Sequence, residues 1–231
     1  MEIKKMVATT DGKFQKVDLV FYFKDGGEEH KTISFSEYLM SIQKSVEVGK
    51  DSIHIGKLPN GYYDSCINMN NPQSFKIVLT VPGRIRLINY YGDSYAIPFP
   101  HMAFFIECRN GKKHKSLAVA LKAIDKEIIN DDIIVCNYPF GNVHQDYEIC
   151  WGQNDLKPLA CIKDAEQYIA QFFSSETNND LYSVGSNVPN IPEFTNQRGL
   201  IEALVERDWF PNEWLVESDK TLGELVREFL I

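Results

Sequence analysis

The chain has 231 residues, 44% of them hydrophobic and 24% charged, with a formal net charge of −8. That is enough chain to bury a real core. The acidic balance, with Lys and Arg scattered rather than clustered, gives no electrostatic reason to bind nucleic acid or an anionic membrane. No apolar run is long enough to span a bilayer, and Met1 to Lys13 alternates charge and polarity without the apolar stretch of an export signal, so a cytoplasmic setting is expected. Cys66, Cys108, Cys136, Cys150 and Cys161 are odd in number and irregularly spaced, which fits reduced thiols. No Cys-x-x-Cys pair and no His or acidic cluster has zinc-site spacing, so neither metal nor cofactor is expected.

In chain order, the first expected element is a β-hairpin. Two β-prone runs, 17–23 and 31–35, flank Asp25-Gly26-Gly27, which supplies the positive φ of a tight turn. "SEYLMSIQKSVEVG" reads as a helix from a Ser34 or Ser36 cap to Gly49, with Tyr38, Leu39, Ile42 and Val46 on one face. Residues 1–56 thus form a hairpin-and-helix lead-in. From Ile53 to Asn137, short β-prone segments alternate with Pro-Asn-Gly, Pro-Gly, Tyr-Gly-Asp, Arg-Asn-Gly and Asn-Asp-Asp breaks, the pattern of an antiparallel meander. Cys66, Cys108, Cys136 and Cys161 lie in or beside apolar segments and are expected as buried thiols.

"DAEQYIAQFFSS" places Ala165, Tyr168, Ile169, Phe172 and Phe173 at helical spacing behind an acidic start. Residues 174–196, Asn-rich and broken by Pro189 and Pro192, read as a surface linker. The tail resumes with two amphipathic stretches, the second opened by Thr221 with Glu224 at capping-box spacing. Trp209, Phe210 and Trp214 beside Pro211 are expected to dock this extension, 181–231 with its linker, onto the core.

The stretch with chemical potential is "NYPFGNVHQDYEICWG", residues 137–152. Pro139 and Gly141 keep 138–143 from pairing as an ordinary strand and leave Asn142 in a sharply turned backbone. Eight residues on, Cys150 sits between Ile149, a core anchor, and Trp151-Gly152. A thiol there could attack an activated carbonyl, and an amide side chain could donate to the oxyanion that forms. His144 is a candidate base, although a polar His on a turn is more often simply solvated. Asn142 could equally cap the turn with its side chain, and Trp151 reads as a lid or packing group beside the thiol.

An Asn followed at eight residues by a Cys, after a β-meander and before a helix, resembles the arrangement of ubiquitin-conjugating (E2) enzymes. Their His-Pro-Asn triplet corresponds to Phe140-Gly141-Asn142, and their Ile-Cys-Leu segment to Ile149-Cys150-Trp151. The upstream "YAIPFPHMAFFI" is similar to their Tyr-Pro-Phe-x-Pro-Pro segment. The order "LPNG", "IPFPHMAFFIE", "SLAVALKA", "YPFGNVHQDYEICWGQ" and "FFSSETNN" is closer still to prokaryotic E2 family D, which includes the B proteins of PRTRC systems. That family's signature is a Pro-x-x-Asn-Val turn, a Cys-x-Gly loop and a Phe-Phe-x-Ser helix end. The resemblance covers about residues 57 to 180.

It implies an α+β fold: an E2-like antiparallel meander with an active-site loop and flanking helices over 57–180, carrying the N-terminal lead-in and the C-terminal helical extension. It also implies that Cys150 accepts the C-terminal acyl group of a ubiquitin-like protein from an E1-like adenylating enzyme and releases it to an amine. Asn142 would steady the loop or the oxyanion, and a JAB-type protease would be a further partner. The acidic position two after the cysteine in many E2 enzymes is Gly152 here, which leaves Asp155 and Asp146 as candidate carboxylates. Two rival readings remain: an inert E2-fold module that only binds the ubiquitin-like protein or its E1, and a cysteine hydrolase using Cys150 with His144 or His101.

Overall fold

The computed structural model describes residues 3–10, 15–39, 57–123 and 129–231. The chain is mixed α+β and divides into two compact units, Met1–Ser52 and Ile53–Ile231. In the first unit, β1 (Ile3–Thr10), β2 (Lys16–Phe23) and β3 (Glu28–Ser34) form an antiparallel sheet in chain order. The expected hairpin is β2–β3. Its turn uses Gly26 at φ 89°, and the Asp25 carboxylate accepts the Gly27 N–H at 3.1 Å. β1 has no counterpart among the expected elements, because its Lys, Met and Thr residues carry little apolar period. Residues 35–39 are helical behind Ser34: Ser34 Oγ accepts the Glu37 N–H at 3.1 Å, and Glu37 Oε2 accepts the Ser34 N–H at 2.9 Å. The rest of the expected helix, with Ile42, Val46 and Gly49, lies outside the described residues.

The second unit is built on a six-stranded antiparallel sheet ordered β12-β10-β9-β8-β5-β4. Its strands are β4 (Tyr62–Ile67), β5 (Phe75–Val81), β8 (His101–Arg109), β9 (Lys112–Leu121), β10 (Ile134–Cys136) and β12 (Glu217–Thr221). Both faces are covered, which is why "MAFFIEC" and "SLAVAL" read as continuous apolar runs rather than alternating ones. One face, with Val78, Phe105, Val119 and Val135, packs against Leu222, Leu225, Val226 and Phe229 of α3 (Leu222–Leu230). The other face, with Ile77, Phe104, Ile106 and Ala118, packs against the 138–151 loop, α1 (Glu166–Ser174) and α2 (Gln197–Leu204).

Three expectations need correction. First, the meander is interrupted: β6 (Arg84–Tyr90) and β7 (Asp93–Phe99) leave the main sheet and form a separate three-stranded one with β11 (Glu176–Thr177). Pro82 and Pro100 bracket this hairpin and end the main-sheet strands on either side, since proline donates nothing to a ladder. Second, 174–196 is not a surface linker. Val188 is fully buried, Phe194 is 2% exposed, and Asn187 is 7% exposed with its side chain fully hydrogen-bonded. Third, the tail is not wholly helical: β12 pairs with β10 at the sheet edge, while Phe210 is buried in the main core as a docking residue should be. Trp214 packs its ring 4.7 Å from that of Phe194, whereas Trp209 stays 64% exposed.

Local signals behave as the residues dictate. α3 opens on the Thr221–Glu224 capping box, with Thr221 Oγ1 accepting the Glu224 N–H at 3.4 Å and Glu224 Oε2 accepting the Thr221 N–H at 2.9 Å. α1 follows a 3-10 turn at Ile162–Ala165 in which Asp164 Oδ2 accepts the Ala160 and Cys161 N–H groups at 2.9 and 3.2 Å. α1 then buries Tyr168 and Phe172.

Candidate functional site

Asn142 and Cys150 meet because the chain between them is a miniature hairpin. Val143 bridges Ile149; the Cys150 N–H donates to the Asn142 carbonyl at 2.8 Å and the His144 N–H to the Glu148 carbonyl at 2.9 Å. Val143 and Ile149 point into the core, 3% and 4% exposed, so their neighbours Asn142 and Cys150 lie across from each other on the opposite face. The returning arm is fastened to β9: the Ile149 N–H donates to the Ser116 carbonyl at 2.9 Å, and the Ala118 N–H to the Tyr147 carbonyl at 3.0 Å. The eight-residue spacing read in the sequence is the length of this hairpin.

Buried contacts and buried amides hold the loop at Phe140 and Gly141. Phe140 is fully buried, its ring 4.9 Å from Phe99 and 5.6 Å from Tyr138. Gly141 donates its N–H to Gln197 Oε1 at 2.6 Å, and Gln197, itself fully buried, also bonds Thr177 Oγ1. Asn187 Nδ2 donates to the Tyr138 and Phe140 carbonyls at 2.9 and 3.2 Å, and Asn137 Nδ2 to the Ser186 carbonyl at 2.7 Å. Asn142, at φ 75°, donates its side-chain N–H to the Glu176 carbonyl at 3.0 Å. Each of these hydrogen-bond partners comes from 176–197, which overlaps the 174–196 stretch read as a linker.

Gln197, Asn187 and Thr177 carry no sequence signal for this role. Each is an ordinary polar residue until the fold brings it beside a loop roughly 35 to 55 positions earlier.

Cys150 is exposed and its thiol is free. It opens on a cleft of about 290 Å³ walled by residues 150–154 on one side and 175–181 on the other. Trp151 lines the cleft as an anchor rather than a lid: it is 8% exposed, donates Nε1–H to Ser116 Oγ at 2.8 Å, and sets its ring edge to face with Tyr168. Asn154 Nδ2 donates to Ser175 Oγ at 3.0 Å, tying the loop to the end of α1.

His144 is exposed, and its ring makes no hydrogen bond to a described residue. Asp146 accepts the Glu148 N–H at 3.2 Å within the hairpin turn, and Asp155 is exposed and outside the cleft wall. The carboxylates that do line the cleft, Glu176 and Asp180, were not among the sequence candidates. No His, Lys or Arg among the described residues is in its wall. Among the described residues no group of three or more His, Cys, Asp or Glu could hold a metal ion.

The other cysteines separate by environment. Cys108 and Cys136 are buried, and burial pushes both thiols up to about 12, which makes them inert core groups. Cys161 is half-buried. Cys66, expected to be buried, is exposed, because β4 is the edge strand of the sheet and packs weakly. Among the described residues no helix is long and apolar enough to cross a membrane.

Comparison with known protein families, with curated proteins and with solved structures finds no match.

Proposed function

We propose that the protein is an E2-like acyl carrier: Cys150 takes the C-terminus of a ubiquitin-like protein from an E1-like enzyme as a thioester and passes it to an amine. The observation that carries this reading is the hairpin lock, which holds an exposed thiol opposite Asn142 at the mouth of an open cleft. In the first step Cys150 sulfur attacks the thioester carbonyl, a new C–S bond forms as the old one breaks, and the Cys150 proton ends on the departing E1 thiol. Such an exchange is nearly isoenergetic and needs no dedicated base, in keeping with a cleft that has no His, Lys or Arg among the described residues of its wall. In the second step an amine nitrogen forms the C–N bond, the C–S bond breaks, and an amine proton returns to Cys150 sulfur.

Asn142 uses one N–H on the Glu176 carbonyl and keeps a second for the oxyanion of either tetrahedral intermediate. Glu176 and Asp180 are the carboxylates available to hold the incoming ammonium group. In this reading a JAB-type protease would reverse the modification.

With a cognate E1-like enzyme, ATP and ubiquitin-like protein, wild-type chain is expected to form an adduct that thiols cleave. Cys150→Ser should give a thiol-resistant ester and Cys150→Ala no adduct. If all three behave alike on non-reducing and reducing gels, the transferase reading fails. In single-turnover discharge to free lysine, Asn142→Ala is expected to be slowed on the order of a hundredfold. An unchanged rate in a folded variant would make Asn142 a loop cap only.

One observation favours the inert binding module: the Asn142 side chain is already engaged structurally at 3.0 Å. Partner binding that survives Cys150→Ala, with no adduct in wild type, would select it. The hydrolase reading has least support, since neither His144 nor His101 belongs to the cleft wall.

A further inference from the structure

β6 has two edges. One pairs with β7 along its whole length, from Arg84↔Phe99 to Tyr90↔Asp93, while among the described residues β11 covers the other only at Asn89 and Tyr90. The Tyr90–Asp93 pair closes a two-residue turn, with Tyr91 at φ 48° and Gly92 at φ 83°, so it is a hydrogen-bonded pair. By alternation, the backbone groups of Arg84, Arg86 and Ile88 also face β7, and those of Ile85 and Leu87 face the uncovered edge. An uncovered strand edge is a template for pairing with another chain.

Beside that edge runs an open groove of about 500 Å³, walled by Ile85 and Leu87 of β6 and by Ala170 and Phe173 of α1. Ile85 and Leu87 are 51% and 60% exposed, large apolar side chains left in water. Among the described residues the only charged groups in the groove wall are cationic, Arg84 and Arg86, in a chain whose net charge is −8. Arg86 stacks over the Phe173 ring at 4.3 Å and donates from one terminal nitrogen to the Pro82 carbonyl at 3.3 Å, while its buried Nε has no hydrogen-bond partner. Burial, and to a lesser extent the neighbouring Arg84 charge, pulls its pKa down to about 10. The carboxylate in the adjoining hollow, Glu166, is already bound by Lys163 at 2.5 Å and by the Asn60 N–H.

We propose that this edge docks an extended acidic segment of a partner protein. The segment adds to β6 as a short strand, lays apolar side chains over Ile85 and Leu87 on one face, and offers carboxylates to Arg84 and Arg86 on the other. The chemistry at Cys150 does not enter this inference, and failure of either leaves the other standing.

The test is fluorescence anisotropy of the full chain with fluorescein-labelled peptides that alternate Leu with Asp, Leu with Asn, or Ser with Asp. Saturable binding is expected for the Leu/Asp peptide alone, weakening with salt. Methylation of alternate backbone nitrogens should weaken it, and Leu87→Asp or Arg84→Glu should each raise Kd roughly tenfold. Both side chains are exposed, so an unchanged Tm checks that the variants fold. Equal affinity for the Leu/Asp and Leu/Asn peptides, or wild-type affinity in Leu87→Asp, overturns the proposal. A concentration-dependent dimer that Leu87→Asp abolishes, with no peptide bound, also overturns it and gives the edge to a second copy of the chain.

Discussion

Phe140→Ala is expected to lower stability by about 4 kcal/mol. The ring is fully buried and touches three others, Phe99 at 4.9 Å, Tyr138 at 5.6 Å and Phe210 at 6.2 Å. It lies two residues before Asn142, and its own carbonyl accepts from Asn187 at 3.2 Å. Truncation therefore opens a cavity under the loop that carries the site rather than in a remote part of the core. Phe140→Leu, which keeps most of the volume, should cost about 1.5 kcal/mol or less. Phe140→His buries a polar ring among aromatic groups, and its cost should fall between those of Leu and Ala. Urea unfolding followed by tryptophan fluorescence measures all three, and Trp151 sits where the loop meets β9 to report the change. A loss under about 1 kcal/mol for Phe140→Ala would mean that the ring does not anchor the loop.

The second large effect is expected at Gly141. A methyl group there would press on the Asn178 carbonyl and lie 2.8 Å from Thr177 Oγ1 and 2.9 Å from Gln197 Oε1. The Asn178 contact is with backbone, which cannot swing aside, so Gly141→Ala should cost about 3 kcal/mol through overpacking. It should also stretch the 2.6 Å hydrogen bond from the Gly141 N–H to Gln197. Gln197→Ala removes the acceptor and leaves that N–H unsatisfied in a fully buried place, at a cost of about 1–3 kcal/mol. Because both changes act on one contact, the double variant should lose less than the sum of the singles. Strict additivity in a double-mutant cycle would show that Gln197 is not what confines Gly141.

These two residues show how far the sequence could be read. The break at Pro139–Gly141 and the Asn142–Cys150 spacing are visible in sixteen consecutive residues, because turn chemistry and hairpin length are local properties. The β2–β3 hairpin, α1 and the Thr221–Glu224 cap are legible for the same reason: each is signalled by residues a few positions apart. The Asn-rich 174–196 stretch misleads for the opposite reason. Asn and Gln are the residues of solvated loops, and nothing local distinguishes Asn187 bonding water from Asn187 bonding the Tyr138 carbonyl. The carboxylates of the cleft were missed likewise, since Glu176 and Asp180 lie more than twenty residues from Cys150.

The sequence by itself determined a mixed α+β chain, a Cys150 loop between strands and a helix, and a net charge of −8. Tertiary structure decided that β6 and β7 leave the sheet, that the tail returns as β12 to edge it, and that 176–197 clamps the loop. Periodicity and turn residues act over a handful of positions, so they can be read along the chain. A strand's neighbours and a buried amide's partner depend on which distant surfaces exclude water together, and only the folded chain brings those surfaces into contact.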